Sequence, residues 1–180
     1  MFLCAQARPR FDPATKSIWD GKIGIWPIGN YDRAKRSSAN RPAGTEVWKN
    51  APVDKSKYKE MMTEYVIPAI IDKWPKGEFS DPEFKVRIQQ DNAPAHDDKM
   101  IANEIQQLVD GGKVPAGKIQ IYNQPPNSPD LNILDLGLFN AVQSAYWRHA
   151  PKNSGEIIEC VKKTYEEYPL SSVCHSTIDI

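Results

Sequence analysis

Apolar and polar residues alternate from Phe84 to Gln90, a pattern that predicts a half-buried β-strand. The alternation ends at Asp91-Asn92, just before a proline, and these residue types stop strands and open turns. Asp91 is therefore predicted at the carboxyl end of a strand. Open α/β sheets place their ligand and catalytic groups at that end.

The same periodicity predicts most of the remaining elements. Two strands are expected to form a hairpin and a third follows later, at Met1–Ala7, Gly21–Ile28 and Lys118–Tyr122. Four helices are predicted from apolar stripes and capping residues, beginning at Asp54, Asp97, Asn132 and Asn153. Pro68 is expected to kink or break the first of them. The order of strands and helices indicates an α/β fold.

The stretch from Gly29 to Val53 shows no clear periodicity and is predicted to be a long loop. Loops longer than about 12–15 residues are usually functional or disordered. Its cations stand among serine, asparagine and glycine, which suits contact with phosphate groups. The candidates for nucleic-acid binding are Arg33, Lys35, Arg36 and Arg41. An exposed loop without a ligand remains the alternative.

Composition narrows the class of protein. A chain of 180 residues with 40% hydrophobic and 26% charged residues fits one globular domain and argues against wholesale disorder. The net charge is zero, yet residues 1–60 hold 12 Lys/Arg against 6 Asp/Glu, a balance of +6 that the remainder cancels. A basic half favours a polyanion partner and an acidic half favours a metal site. Solvated faces that merely differ in charge would give the same numbers.

The cysteines and the apolar runs indicate a soluble intracellular protein. Cys4, Cys160 and Cys174 are odd in number and widely spaced, which argues against a disulfide framework and a structural zinc site. No apolar run approaches the ~20 residues of a membrane span. The apolar start at Met1–Ala7 is too short for a signal peptide.

Two acids stand at predicted element ends, Asp91 after a strand and Asp135 in the first turn of the third helix. Carboxylates are the hard oxygen ligands that Mg²⁺ prefers. A pair of such ions can activate water and stabilise the leaving oxygen during phosphodiester cleavage. Alternatively, Asp91 closes a turn and Asp135 caps a helix.

Two segments closely resemble the catalytic core of the mariner-like DDE/DDD transposases. They are Gln-Gln-Asp-Asn-Ala-Pro-Ala-His at 89–96 and Pro-Pro-Asn-Ser-Pro-Asp-Leu-Asn-Ile-Leu-Asp-Leu-Gly-Leu-Phe-Asn at 125–140. Met1–Arg10, Gly21–Trp26 and the Arg36–Gly44 stretch are similar to the same family. The resemblance covers nearly the whole chain.

The resemblance implies metal-dependent DNA cleavage and strand transfer at transposon ends by a single catalytic-domain fragment spanning residues 1–180. It implies a ribonuclease-H-like mixed sheet flanked by helices, with Mg²⁺ or Mn²⁺ as cofactor. Asp91 matches the family's second acid and Asp135 its third, with Asp130 as the rival for third place. The implied partners are transposon and target DNA and a second copy or a related transposase, in the nucleus and not at a membrane.

Departures from the family pattern limit what the resemblance predicts. The strand carrying the family's first acid, and its helix-turn-helix domains, have no match in the chain, and Asp12 and Asp20 do not fit the first acid's motif. That strand would be central, between the strand of Met1–Arg8 and that of Val86–Gln90, so a truncated domain that folds poorly alone and is not a competent transposase is expected. A non-catalytic DNA-binding or transposase-partner module and a purely structural domain are the competing hypotheses.

Overall fold

The computed structural model describes residues 1–38, 41–128 and 134–169, apart from the side chains at 98, 135 and 136. Within these residues the chain forms eight strands and five α-helices. The strands are β1 (Phe2–Gln6), β2 (Arg10–Asp12), β3 (Ser17–Trp19), β4 (Lys22–Pro27), β5 (Gly29–Arg33), β6 (Glu46–Asn50), β7 (Val86–Gln90) and β8 (Ile119–Asn123). The helices are α1 (Lys55–Met61), α2 (Ile67–Lys73), α3 (Asp98–Asp110), α4 (Phe139–His149) and α5 (Ser154–Glu167).

The predicted amino-terminal hairpin is confirmed, since β1 pairs antiparallel with β4. A register shift between Ala5 and Gln6 interrupts the ladder. Strict alternation would place Ile23 and Ile25 on one face of β4, whereas they belong to two different cores. The turn-rich connection between β1 and β4 contains a small hairpin of its own, β2–β3, that the sequence pattern did not predict.

Strands β7 and β8 form a parallel pair, joined by α3 as a crossover helix. Asp97 caps α3 by accepting a hydrogen bond from the Met100 N–H at 3.0 Å, and the glycine pair Gly111-Gly112 follows the helix. In the described part of the chain, β1 pairs with β4 alone and β7 with β8 alone. The sheet strands therefore fall into separate pairs.

The main core lies beside α1, α2 and α3. It contains most of the predicted apolar stripe of the first helix, together with side chains from β4, β7 and β8. Its buried members are Ile23, Tyr58, Met62, Val66, Ile67, Ile70, Trp74, Val86, Ile101, Ile105, Val114 and Ile119. Tyr65 falls at helical spacing in this stripe, yet it is 43% exposed because the helix does not continue with regular α-helical spacing.

A π-helical segment, Met62–Val66, separates α1 from α2. Pro68 follows at the start of α2 and has no N–H for an intrahelical bond. The predicted break at Pro68 is thus confirmed in the form of a π-bulge just before the proline.

A second core lies between α4, α5 and the β1–β4 hairpin. It buries Ile25, Leu138, Val161 and Tyr165. The Tyr165 hydroxyl donates to the Ala5 carbonyl at 3.0 Å, which ties α5 directly to β1. The hairpin therefore has apolar packing on both of its faces.

The prediction of a long loop from Gly29 to Val53 is wrong. Strands β5 and β6 pair antiparallel through five residue pairs from Gly29↔Asn50 to Arg33↔Glu46. Tyr31 and Trp48 face each other across the ladder as an edge-on aromatic pair with ring centroids 5.0 Å apart. Two strands thus cover ten residues of this stretch.

The predicted mixed α/β class is confirmed by these elements. None of the helices in the described ranges is both long enough and apolar enough to cross a membrane.

Candidate functional site

Asp91 lies immediately after β7, at the carboxyl end of the parallel β7–β8 pair. The ladder extends one step past the strands, because the Gln124 N–H donates to the Gln90 carbonyl at 2.8 Å. The predicted strand-end position of Asp91 is confirmed.

The Asp91 carboxylate is held on one oxygen. Its Oδ1 accepts the Ala93 N–H at 2.9 Å, the local turn that aspartate forms with the residue two positions on. The His96 Nδ1 lies 2.7 Å from the same Oδ1, and the Asp91 side chain is 41% exposed. Both of these contacts fall on Oδ1.

The backbone around Asp91 is held by further bonds. The His96 N–H donates to the Ala93 carbonyl at 2.8 Å, which closes the turn. The Asn92 Nδ2 donates to the Gln124 carbonyl at 3.0 Å and joins the loops that follow β7 and β8. The Asp-Asn dipeptide thus fixes its own loop and the neighbouring strand end together.

A polar chain runs from this turn into the core. The His96 and Tyr58 rings stack with centroids 4.1 Å apart. The Tyr58 hydroxyl donates to Gln90 Oε1 at 2.7 Å, and Gln90 Nε2 donates to Asn123 Oδ1 at 2.7 Å. Burial, and secondarily the negative charge of Asp91, raises the pKa of Tyr58, so the phenol stays protonated and can donate.

Asp135 belongs to a second π-helical segment, Leu134–Leu138, that leads into α4. Leu138 is buried, and Leu134 packs against the same core as Phe2 and Cys4 of β1. The segment therefore shares the second core with β1. The Asp135 side chain is outside what the structure describes, and so is Asp130, the rival for the third acid.

The candidate DNA-binding cations lie on an ordered hairpin rather than a structureless loop. Beyond β5 and β6, the Ala34 N–H donates to the Thr45 carbonyl at 2.9 Å, and the Ser38 N–H donates to the Arg41 carbonyl at 2.8 Å. The four candidates are all exposed: Arg33, Lys35, Arg36 and Arg41. The hairpin adjoins α5, whereas Asp91 contacts α1 through His96.

Acidic residues moderate the charge at the base of this hairpin. Lys49 Nζ lies 2.5 Å from Asp32 Oδ2, and this bond, reinforced by the Arg33 N–H, lowers the pKa of Asp32. Arg33 has Glu46 directly opposite in the ladder. The positive charge is therefore concentrated toward the tip, at Lys35, Arg36 and Arg41.

Asp12 and Asp20, the two acids near the start of the chain, have local structural roles. Asp12 is 7% exposed and accepts bonds from the Ala14 N–H and the Thr15 hydroxyl, both at 2.9 Å. Asp20 accepts the Lys22 N–H at 3.0 Å. Both close turns, as expected for acids that do not fit the motif of a catalytic strand.

His96 and Tyr58 were not predicted as site residues. His96 was visible as the last residue of the Asp91 motif, five positions after the acid. Tyr58 gave no such signal, because its ring belongs to an apolar helical stripe and its hydroxyl partner is 32 residues away.

In the described part of the chain, no three His, Cys, Asp or Glu side chains form a cluster that could hold a metal ion. Asp91 nevertheless suits one, because Mg²⁺ commonly takes one or two carboxylates and completes its shell with water and phosphate. The structure brings Asp91 together with His96, and Asn123 bonds the preceding residue, Gln90. No protein-family model and no curated protein sequence matches the chain.

Proposed function

We propose that the chain is the catalytic-core region of a mariner-like DDE/DDD transposase, descended from an enzyme that cleaves and transfers DNA strands with Mg²⁺ or Mn²⁺. Asp91 carries this proposal, because it presents a half-exposed carboxylate at the carboxyl end of two parallel strands. The motif around it is one of the two segments on which the resemblance depends.

The pairing of the strands supports a ribonuclease-H-like sheet as the underlying fold. A strand between β1 and β7 that ran antiparallel to β1 and parallel to β7 would join the two pairs into one mixed sheet. In that arrangement the amino-terminal end of β1 and the carboxyl end of β7 lie at the same edge. Side chains of β1, β4, β7 and β8 already contribute to one core, as such a sheet requires.

The same arrangement brings the two acids to one edge. The segment that carries Asp135 contributes Leu134 and Leu138 to the same core as Phe2 and Cys4 of β1, and Asp91 follows β7. A π-helical turn at this position is typical of functional sites. We therefore propose Asp91 and Asp135 as two carboxylates that hold the divalent ion.

When bound, the ion would activate a water and stabilise the leaving oxygen of the phosphodiester. The residues of the chain would supply orientation. Asp91 Oδ1 is fixed by the Ala93 N–H. The Asn92 amide keeps the two strand ends in register.

Residues 1–180 offer two matches to the three acids of the family, since Asp12 and Asp20 close turns. With two of the family's three carboxylate ligands, the chain is expected to bind divalent ions and DNA but to nick DNA poorly. Robust Mg²⁺-dependent nicking by the purified chain, abolished in Asp91→Ala, would contradict this expectation.

The second candidate function is a non-catalytic DNA-binding or transposase-partner module. The observation that favours it is the ordered β5–β6 hairpin, which holds its exposed cations near the tip. Phosphate contacts need exposed donors and no catalytic acids.

DNA binding tests both candidates. We expect a short fluorescent duplex to bind with an affinity that falls as salt rises from about 50 to 200 mM. The slope of log affinity against log salt is negative. It should become less steep by about 3–4 when glutamine replaces Arg33, Lys35, Arg36 and Arg41, because each phosphate contact contributes about 0.9 to its magnitude.

The matched control replaces four other exposed cations, Lys73, Lys85, Arg87 and Lys113, and should leave most of the binding intact. Equal losses in the two variants would show that net charge and not the hairpin binds DNA. Loss of a Mg²⁺-dependent gain in affinity in Asp91→Asn would favour the transposase core, whereas metal-independent binding would favour the second candidate.

A further inference from the structure

We infer that His96 is a positioning residue that holds the Asp91 carboxylate in one orientation through a hydrogen bond from its Nδ1–H. What Asp91 then does rests on the proposed function, but the geometry does not. Asp91 Oδ1 lies 2.7 Å and the Asp91 carbonyl oxygen 3.1 Å from Nδ1. Both oxygens only accept hydrogen bonds, so the proton must be on Nδ1.

His96 is itself held in place from the core. Its side chain is 18% exposed, and its ring stacks on Tyr58, which is 4% exposed. The Tyr58 hydroxyl is fixed in turn by Gln90. A side chain anchored by buried neighbours can impose its geometry on a half-exposed one, and the reverse does not hold.

As a consequence, one oxygen of the Asp91 carboxylate, Oδ1, is held by two hydrogen bonds. The Ala93 N–H and the His96 Nδ1–H both donate to Oδ1, which fixes the side-chain rotamer and the plane of the carboxylate. Residues that orient a metal ligand in this way commonly contribute about 10–100-fold to metal affinity. A residue that only packs on Tyr58 would contribute nothing to the orientation of Asp91.

Nuclear magnetic resonance tests the geometry without any metal. Proton–nitrogen correlation of the imidazole is expected to show the Nδ1–H form of His96, and side-chain couplings should show one Asp91 rotamer. In His96→Ala the Asp91 rotamers should average. In His96→Asn they should not, because the asparagine Nδ2 replaces Nδ1 as donor. A wild-type imidazole with a bare Nδ1, or an Asp91 rotamer unchanged in His96→Ala, would overturn the inference.

Mn²⁺ titration tests the consequence. The affinity is expected to fall about 10–100-fold in His96→Ala and to recover largely in His96→Asn, which loses the stack on Tyr58 but keeps the donor. Equal losses in both variants would assign His96 to packing and overturn the inference. Wild-type protein that binds no Mn²⁺ would contradict the proposed function, and the rotamer and imidazole measurements would still decide the role of His96.

Discussion

Gln90 shows how the residues around Asp91 join a solvent-facing turn to a buried core. Gln90 is 7% exposed, yet both ends of its side-chain amide have partners, the Tyr58 hydroxyl and Asn123 Oδ1. A buried amide without these bonds would cost about 1–3 kcal/mol. The buried Gln90 amide at the strand end therefore depends for one of its hydrogen bonds on α1, a helix that lies far away in sequence.

Asp97 gives a residue-scale prediction for pH. Its bond to Lys55 Nζ, and secondarily the Met100 N–H, lowers the pKa of the carboxyl in the folded state. The carboxylate therefore adds stability above the pKa of the unfolded chain, about 4, and that stability is lost as pH falls through the lower folded-state pKa.

Asp97→Asn keeps a good helix cap but removes the charge. Wild type is expected to exceed this variant in unfolding free energy at neutral pH, and the difference should vanish under strongly acidic conditions. Urea unfolding of both proteins across pH measures it, and Lys55→Met should shrink the difference at neutral pH. A difference that stays constant down to about pH 2 would refute the assignment.

At the scale of the elements, Gly21 sets the geometry of the β1–β4 hairpin. Its φ is +72°, and a Cβ there would lie 2.1 Å from the Ala7 carbonyl oxygen. Gly44 has a similar φ of +85° but open space around it. Both glycines need a positive φ, but only at Gly21 would an added Cβ collide with the backbone.

Gly44→Ala is expected to destabilise the protein by about 1–2 kcal/mol, the cost of a left-handed conformation for a residue with a Cβ. Gly21→Ala should cost about 1–3 kcal/mol more, because the backbone at Ala7 must move. Midpoints of urea unfolding compare the two variants. Equal costs would mean that the close approach to Ala7 contributes nothing.

Local sequence patterns predicted most elements, whereas an element that depends on contacts between distant residues was not predicted. Asp54, Asp97 and Asn153 were expected to cap helices, and each accepts a backbone N–H three residues later. The β5–β6 hairpin was not predicted, because the Tyr31–Trp48 pair that stabilises it joins residues 17 apart without a clear alternating pattern.

The candidate site was predictable to a similar degree. The strand-end position of Asp91 followed from its neighbours in sequence. The contacts that orient it, from His96 on one side and Tyr58 behind it, depend on how α1 packs against β7 and cannot be obtained from spacing. The position of Asp135 relative to Asp91 stays a prediction.

At the scale of the whole molecule, the proposal depends on two strand pairs belonging to one sheet. One core joins them, while α4 and α5 cover the other face of the hairpin. If the proposed sheet is correct, residues 44 positions apart in sequence, Asp91 and Asp135, bind the same ion. The central prediction is that Asp91 and Asp135 bind one ion together.

The affinity for Mn²⁺ in a double-mutant cycle tests the claim most directly. Asp91→Asn and Asp135→Asn should each lower the affinity by more than about tenfold, and the double variant should lose little more than either, because the site is shared. Asp130→Asn should match wild type. Independent, additive losses at the two positions, or no loss at one of them, would contradict a shared site.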